Sequence, residues 1–239
     1  SASFGIGGKV KDRPTEISDW DRAKSFYWSN AKRTQKTKSA EGNDYFATPE
    51  PLGKKMVEWM QVKAGDRLLE PSVGHAAIGR WFPATNINRA VEASSILAPR
   101  AQLNFDGKVF NQDFEDFSVL NKFEGIAMNP PFGKGKGGKL AYDHITKAVR
   151  HLTNGGRILA IVPDGNMANK RLDKFLEDKA HKNIYLSAVV DIPAGAFARA
   201  GTGVKTKILV LDRFDNKADA PDGTHTITLR GADEKEFFD

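Results

Sequence analysis

Three acids and an asparagine stand where short apolar runs of this chain end. DRLLEP brings Glu70 to the end of one run, NINRAVEA brings Glu92 to the next, and GKVFNQDF carries Asp113 just past a third. EGIAMNPPF then closes on Asn129, two prolines and Phe132. Behind Glu70 the turn Pro71-Ser72-Val73-Gly74 leads toward a helix. There Gly74 allows close backbone approach, and the helix start offers unpaired N–H donors. This is neither the G-x-G-x-x-G pyrophosphate fingerprint nor a phosphate-binding loop with its lysine. An acid at that point repels a pyrophosphate and suits an ammonium group. Glu92 can accept from both hydroxyls of a ribose. Asp113 can accept from an exocyclic adenine amine while Phe114 covers the ring. Each acid alone also makes an ordinary solvated loop. In order after successive strands, they outline a cleft for an ammonium, a ribose and an adenine, the three parts of S-adenosylmethionine.

A methyl donor gives the NPPF segment a task. Proline lacks an N–H and holds φ near −65°, so Pro130 and Pro131 end a strand and stiffen the turn beyond it. The Asn129 side-chain oxygen and the Pro130 carbonyl can then accept from the two hydrogens of one exocyclic amine. Such an amine is a poor nucleophile because its lone pair is delocalised into the ring. Two acceptors favour a pyramidal nitrogen whose lone pair faces the methyl group. Catalysis is then positioning plus stabilisation of developing charge, with no dedicated base and no metal. Phe132 would stack on the target base, a contact worth roughly 1–3 kcal/mol.

EPSVG, Glu92, QDF and NPPF, in this order and spacing, resemble motifs I to IV of the methyltransferases that act on the N6 amine of adenine in DNA. Upstream, DYFATPEPLGKKM is similar to the motif that precedes motif I in the gamma-type enzymes. Downstream, LTNGGRILAIVP and IPAGAFARAGTGVKTKILVL resemble the later motifs. The likeness covers residues 45–214. It implies a Rossmann-like class I S-adenosylmethionine-dependent methyltransferase, α/β, with a mostly parallel seven-stranded sheet and helices on both faces. It also implies that Thr48, Glu70, Pro71, Ser72 and Gly74 hold the methionine part of the donor, Glu92 the ribose, and Asp113 with Phe114 the adenine. Asn129, Pro130, Pro131 and Phe132 form the catalytic turn, and Phe197 is the second aromatic against an extruded base. One departure stands out: His75-Ala76 occupies the place where a further glycine is frequent.

The elements that must position these residues show in the hydrophobic pattern. Helical spacing is expected through TPEPLGKKMVEWMQV, HAAIGRWF, SSILAPRAQLN (interrupted around Pro99), LAYDHITKAVRHLT and LDKFLEDKAH. Strands are expected at the four runs above and at RILAIVP, LSAVVDIP and KTKILVLDRF, with one more suggested by HTITLRG. Strands alternating with helices make an open parallel sheet, which binds ligands beyond its carboxyl ends at the topological switch point. The chain divides into a basic extension over residues 1–44 with a helix around residues 17–36, a catalytic domain over 45–215, and a short extension over 216–239.

Composition fits that reading. Of 239 residues, 40% are hydrophobic and 28% charged, and no cysteine supplies a disulfide or a thiolate ligand. No apolar run approaches the roughly 20 residues of a membrane span, and a cytoplasmic protein is expected. Net charge is +6, with 36 basic against 30 acidic residues. Arg22, Lys24, Lys32, Arg33, Lys36 and Lys38 form one basic cluster without an acid, and the GKGKGGK loop, with Lys134, Lys136 and Lys139, another. These make DNA the expected partner, gripped by its phosphates beside a flipped base, although a solvated basic face has the same composition. The chain opens on Ser and few residues come after 214, so no target-recognition domain is evident. Weak sequence preference is expected, or a catalytic part of a longer protein. Small phage and mobile-element enzymes are similar in this respect and would protect DNA from restriction. Two alternatives stay open: an RNA enzyme acting on the N2 amine of guanine, and a non-catalytic nucleic-acid-binding subunit that keeps the fold.

Overall fold

In the computed structural model, residues 46–133, 137–193, 196–197 and 204–228 are described. The expected basic helix near residues 17–36 lies outside them, as do Lys134 and Lys136. Among the described residues, four helices, α1 (Glu50–Met60), α2 (Leu97–Gln102), α3 (Lys139–Arg150) and α4 (Asn166–Glu177), flank an eight-stranded sheet. Its strands are β1 (Leu68–Glu70), β2 (Arg89–Glu92), β3 (Lys108–Asn111), β4 (Phe123–Met128), β5 (Leu152–Pro163), β6 (Ile184–Ile192), β7 (Thr206–Arg213) and β8 (His225–Thr228). Their order is β3-β2-β1-β4-β5-β7-β6-β8. Neighbours run parallel except that β7 is antiparallel to both β5 and β6. The sheet has one strand more than the seven expected. The addition is β8, which pairs in parallel with the outer side of β6.

Alternation along the strands builds two cores. Leu68, Ala127, Leu159, Ile161, Ile208 and Val210 face α1, whose Leu52, Met56 and Met60 recur every fourth residue and are buried. Leu69, Ile126, Met128, Ile158, Ala160 and Leu209 face α3 and α4, where Ile145, Ala148, Val149, Leu172 and Phe175 lie buried. Gly125 brings α1 close to the sheet, because a Cβ there would stand 2.8 Å from both Leu68 Cδ2 and Met60 Cε.

Two local expectations change. Residues 75–82 form turns and a short 3-10 segment (Gly79–Trp81) rather than a helix. Ala76 takes φ 62°, in the left-handed region that an L-residue cannot continue into a right-handed helix. Pro99 does not interrupt its helix. It lies in the first turn of α2, where a missing N–H is tolerated. Strand order reverses between β1 and β4, so the switch point opens between Glu70 and Asn129. Among the described residues, no helix is long and apolar enough to cross a membrane.

Candidate active site at the carboxyl ends of β1 to β4

The β1 end is built around one buried carboxylate. Glu70 is 2% exposed, and the Gly79 N–H donates to its Oε2 at 2.7 Å. A Cβ on Gly79 would stand 2.4 Å from that oxygen, so the contact needs glycine. Burial pushes the Glu70 carboxyl well above its ordinary range. The Gly79 N–H opposes this, and the nearby Glu92 charge adds to it. Oε1 accepts nothing among the described residues. The intervening turn is tied to β2 by Val73 N–H donating to the Val91 carbonyl at 3.0 Å. Gly74 takes φ 51° within that turn, as the close-approach argument requires. Ala76 adopts the positive φ for which a further glycine would be the unstrained choice.

Glu92 continues the cleft. Its Oε2 accepts from Gly74 N–H at 2.8 Å and its Oε1 from Ser94 N–H at 2.9 Å. Burial raises its carboxyl too, against those two bonds. Each oxygen keeps a lone pair for a further donor. Asn111, at the end of β3, donates from Nδ2 to the Glu92 and Ala93 carbonyls at 2.9 and 3.1 Å, clamping the β2 end beside β3. That clamp carries no motif signature.

Beyond β3, Asp113 is exposed and accepts the Asp116 N–H on its carbonyl, opening a 3-10 turn (Phe114–Asp116). Phe114 departs from expectation. At 3% exposure it packs in the core against Phe117, His144 and His151, so its ring has no free face to cover a ligand. Phe197 departs likewise. It is 2% exposed within the core on the α1 side, so packing already occupies the ring expected against an extruded base. Phe132 is half-buried at the margin of that same core, with part of its surface still open.

Asn129 has the most determined geometry in the cleft. Its Nδ2 donates to the Phe46 carbonyl at 2.7 Å and to Thr48 Oγ1 at 3.0 Å. A carbonyl only accepts, so the amide must present nitrogen to it. Both amide hydrogens are thereby used. Oδ1 and the adjacent Pro130 carbonyl accept no hydrogen bond among the described residues. Thr48 is buried beside Asn129, just ahead of α1, so its placement is that of an orienting group for the asparagine. Pro130 is buried, and Pro131 with Phe132 is half-buried. Lys139 opens α3 on the same edge and pairs with Asp143 at 2.6 Å.

A second concavity, lined by Thr85, Asn86, Arg89, Asp106, Gly107 and Lys108, lies at the amino ends of β2 and β3, on the opposite edge of the sheet. Among the described residues no cluster of His, Cys, Asp or Glu could hold a metal. The donor set at the carboxyl ends fits a different guest. One buried and one half-buried carboxylate, without a cationic partner among the described residues and one with an uncommitted oxygen, match an ammonium and a pair of hydroxyls.

The family described as methyltransferase small domain matches residues 84–184. No curated protein matches the sequence. A solved structure from Listeria monocytogenes, described as a class I S-adenosylmethionine-dependent methyltransferase, is 17% identical with a TM-score of 0.66. The match covers 90% of this chain and 75% of that one. A modification subunit described as belonging to a type I restriction enzyme of Vibrio vulnificus is 17% identical, with a TM-score of 0.60 over 90% of this chain and 54% of its own. A chain from Pyrococcus horikoshii described as an RNA methyltransferase is 13% identical, with a TM-score of 0.61 over 83% of this chain and 100% of its own. This chain thus spans about half the length of the type I subunit it matches. At these identities the likeness is one of fold: the protein has the class I S-adenosylmethionine-dependent methyltransferase fold.

Proposed function

We propose that the protein methylates the N6 amine of adenine in DNA, using S-adenosylmethionine. The observation that carries this reading is the Asn129 amide. With its nitrogen committed to Phe46 and Thr48, it offers only an oxygen to the cleft. An oxygen beside a second free carbonyl is what an exocyclic NH2 needs, and not what a carbonyl or phosphate substrate needs.

When bound, S-adenosylmethionine supplies a methyl group on sulfur as electrophile. Glu70 would take its ammonium with Ser72 and the Gly74 turn alongside, and Glu92 its ribose. Asp113 would reach the adenine end without the Phe114 ring. Asn129 Oδ1 and the Pro130 carbonyl would hold the two amine hydrogens of the target base. They localise the nitrogen lone pair toward the methyl carbon and stabilise the positive charge that grows on nitrogen. As the new N–C bond forms, the C–S bond would break and S-adenosylhomocysteine would leave; the ammonium-like nitrogen is then acidic, and its proton would be lost past Oδ1 to water. Phe132 would stack on the base, and Lys139 would face the backbone phosphates. The likeness to a modification subunit supports DNA as the substrate.

A second reading, an exocyclic amine in RNA, is favoured by the match over the full length of the Pyrococcus chain. Labelled methyl transfer to duplex DNA, single-stranded DNA and ribosomal RNA, followed by nucleoside analysis, separates the two. N6-methyldeoxyadenosine is the expected product. Label confined to RNA guanine would replace the proposal with the second reading, and label in no nucleic acid would remove both.

A further inference from the structure

The chain contains four methionines, and three of them, Met56, Met60 and Met128, are buried. Met167 is 56% exposed, in the first turn of α4 at the carboxyl edge of the sheet. Its place is fixed from two sides. A Cβ on Gly137 would stand 2.6 Å from Met167 Cβ, and one on Gly138 would stand 2.6 Å from Pro163 Cγ. The segment that leaves the catalytic turn for α3 therefore rests against the connection between β5 and α4. From the other side, the Asp164 N–H of that connection donates to the Lys205 carbonyl at 2.8 Å, just before β7 begins.

Strand register sets the height of this rim. Met128, the last residue of β4, is level with Ala160, while β5 runs on through Pro163. Three further residues at about 3.3 Å each carry β5 roughly 10 Å beyond the end of β4. Met167 follows four residues later, on a rim that stands outside the strand end bearing Asn129. Phe46 and Thr48 hold Asn129 from the α1 face, whereas α4 packs on the opposite face, so the rim flanks the cleft from the other side.

Around Met167 the outermost charges are cationic. Lys139, Lys170 and Lys205 are exposed. Asp164, which pairs with Lys205 at 2.9 Å, lies deeper, and the first turn of α4 holds no acid. Asp143 pairs with Lys139 at 2.6 Å in the open, where an ion pair contributes little and can yield to a phosphate. An apolar, unbranched side chain among ammonium groups suits a polyanion with an apolar interior, which is stacked nucleic acid. A duplex that gives up one base opens a gap in its stack, and apolar side chains enter such stacks.

Building on the DNA reading above, we propose that this rim is the duplex-docking face and that Met167 is its wedge. The thioether chain enters the stack where the adenine leaves it, while Lys139, Lys170 and Lys205 hold the phosphates on either side. Met167 touches no reacting atom. It is a positioning residue that keeps the base extruded.

Two measurements on the whole chain test this. In the first, limited oxidation by hydrogen peroxide is read as Met167 sulfoxide by peptide mass spectrometry, with S-adenosylhomocysteine present and with or without a short DNA duplex. The duplex should protect Met167 several-fold, and the three buried methionines, little oxidised in either sample, report that the protein stays folded. In the second, affinity for a duplex with one abasic site is compared with that for the intact duplex at one salt concentration. The parental protein should prefer the abasic duplex several-fold, because its gap is already open. Met167→Ala should lose that preference and Met167→Leu should keep it, with affinity for S-adenosylhomocysteine by calorimetry unchanged in both. A merely structural role for an exposed methionine would not move that ratio. Met167 left unprotected by the duplex, no abasic preference in the parental protein, or a preference kept in Met167→Ala overturns the wedge and leaves methyl transfer to DNA standing. Methyl transfer confined to RNA overturns the DNA reading and the wedge with it.

Discussion

At the scale of single residues, the cleft is governed by where hydrogens and charges are committed. Asn129 has spent both amide hydrogens on Phe46 and Thr48, and only its oxygen remains for a substrate. Replacing Asn129 with Ala should reduce turnover by about 10²–10³-fold, the scale for losing one preorganised partner of developing charge, while donor affinity by calorimetry stays within a few-fold. Parental turnover in that variant would end the acceptor mechanism. Glu70 and Glu92 set a pH dependence, because burial raises both carboxyls. A raised folded-state value means that the native protein keeps a proton the unfolded chain has lost. Apoprotein stability from these groups therefore falls as pH rises from the ordinary carboxylate range through the raised values. A cationic donor needs the ionised form, so its affinity should climb over that same interval. Thermal shifts with S-adenosylhomocysteine should be larger at pH 8 than at pH 5. These acids and the asparagine are legible in the sequence because each comes after an apolar run and the strand end alone gives it a place. Phe114 and Phe197 are not, since which way an aromatic turns depends on core volume that no local spacing reports. The Asn129 bonds to Phe46 and Thr48 span 83 and 81 residues and leave no local trace.

At the scale of elements, glycines decide how closely the pieces meet. Gly79 allows its N–H to reach Glu70, and its missing side chain keeps 2.4 Å of space from becoming a clash. Gly79→Ala should lose about 1–3 kcal/mol by denaturant melts, the scale of an overpacked core, and should weaken donor binding at least tenfold. A variant with both properties unchanged would show that the loop relaxes freely and that Glu70 does not depend on that N–H. The pattern of strands and of the longer helices is readable because apolar period and length agree there. Residues 75–82 mislead for a definite reason. Their apolar spacing is helical, but the chain must turn sharply to bring Gly74 onto Glu92, and Ala76 takes the left-handed conformation that permits it. Pro99 misleads in the opposite sense, since a proline breaks a helix only beyond its first turn.

At the scale of the whole molecule, the two edges of the sheet divide chemistry from support. At the edge away from the cleft, Arg157 grips Asp212 with Nε at 2.7 Å and Nη2 at 2.9 Å, and holds the Trp59 carbonyl of α1 with Nη1 at 2.9 Å. Ser187 completes the set by donating to Asp212 at 2.6 Å. Arg157→Leu leaves a buried carboxylate without its cation and should lower stability by about 3 kcal/mol, with donor affinity retained below the melting point. Loss of donor affinity in a folded Arg157→Leu protein would show that the far edge also shapes the cleft. The class of the sheet is legible in the sequence, and β8 is the strand HTITLRG suggests, but its place in the sheet is not legible, because its pairing partner β6 lies more than thirty residues behind it. The distance along the chain between Asn129 and its two anchors has a consequence for synthesis. A ribosome releases Phe46 and Thr48 some 80 residues ahead of the asparagine they will hold. The nascent chain therefore carries half of its catalytic turn's support as an unclosed loop, whose ends meet only once β4 has emerged and docked. Translation thus delivers β1 to β3 before β4, and the two bonds that hold the Asn129 amide can close only after that.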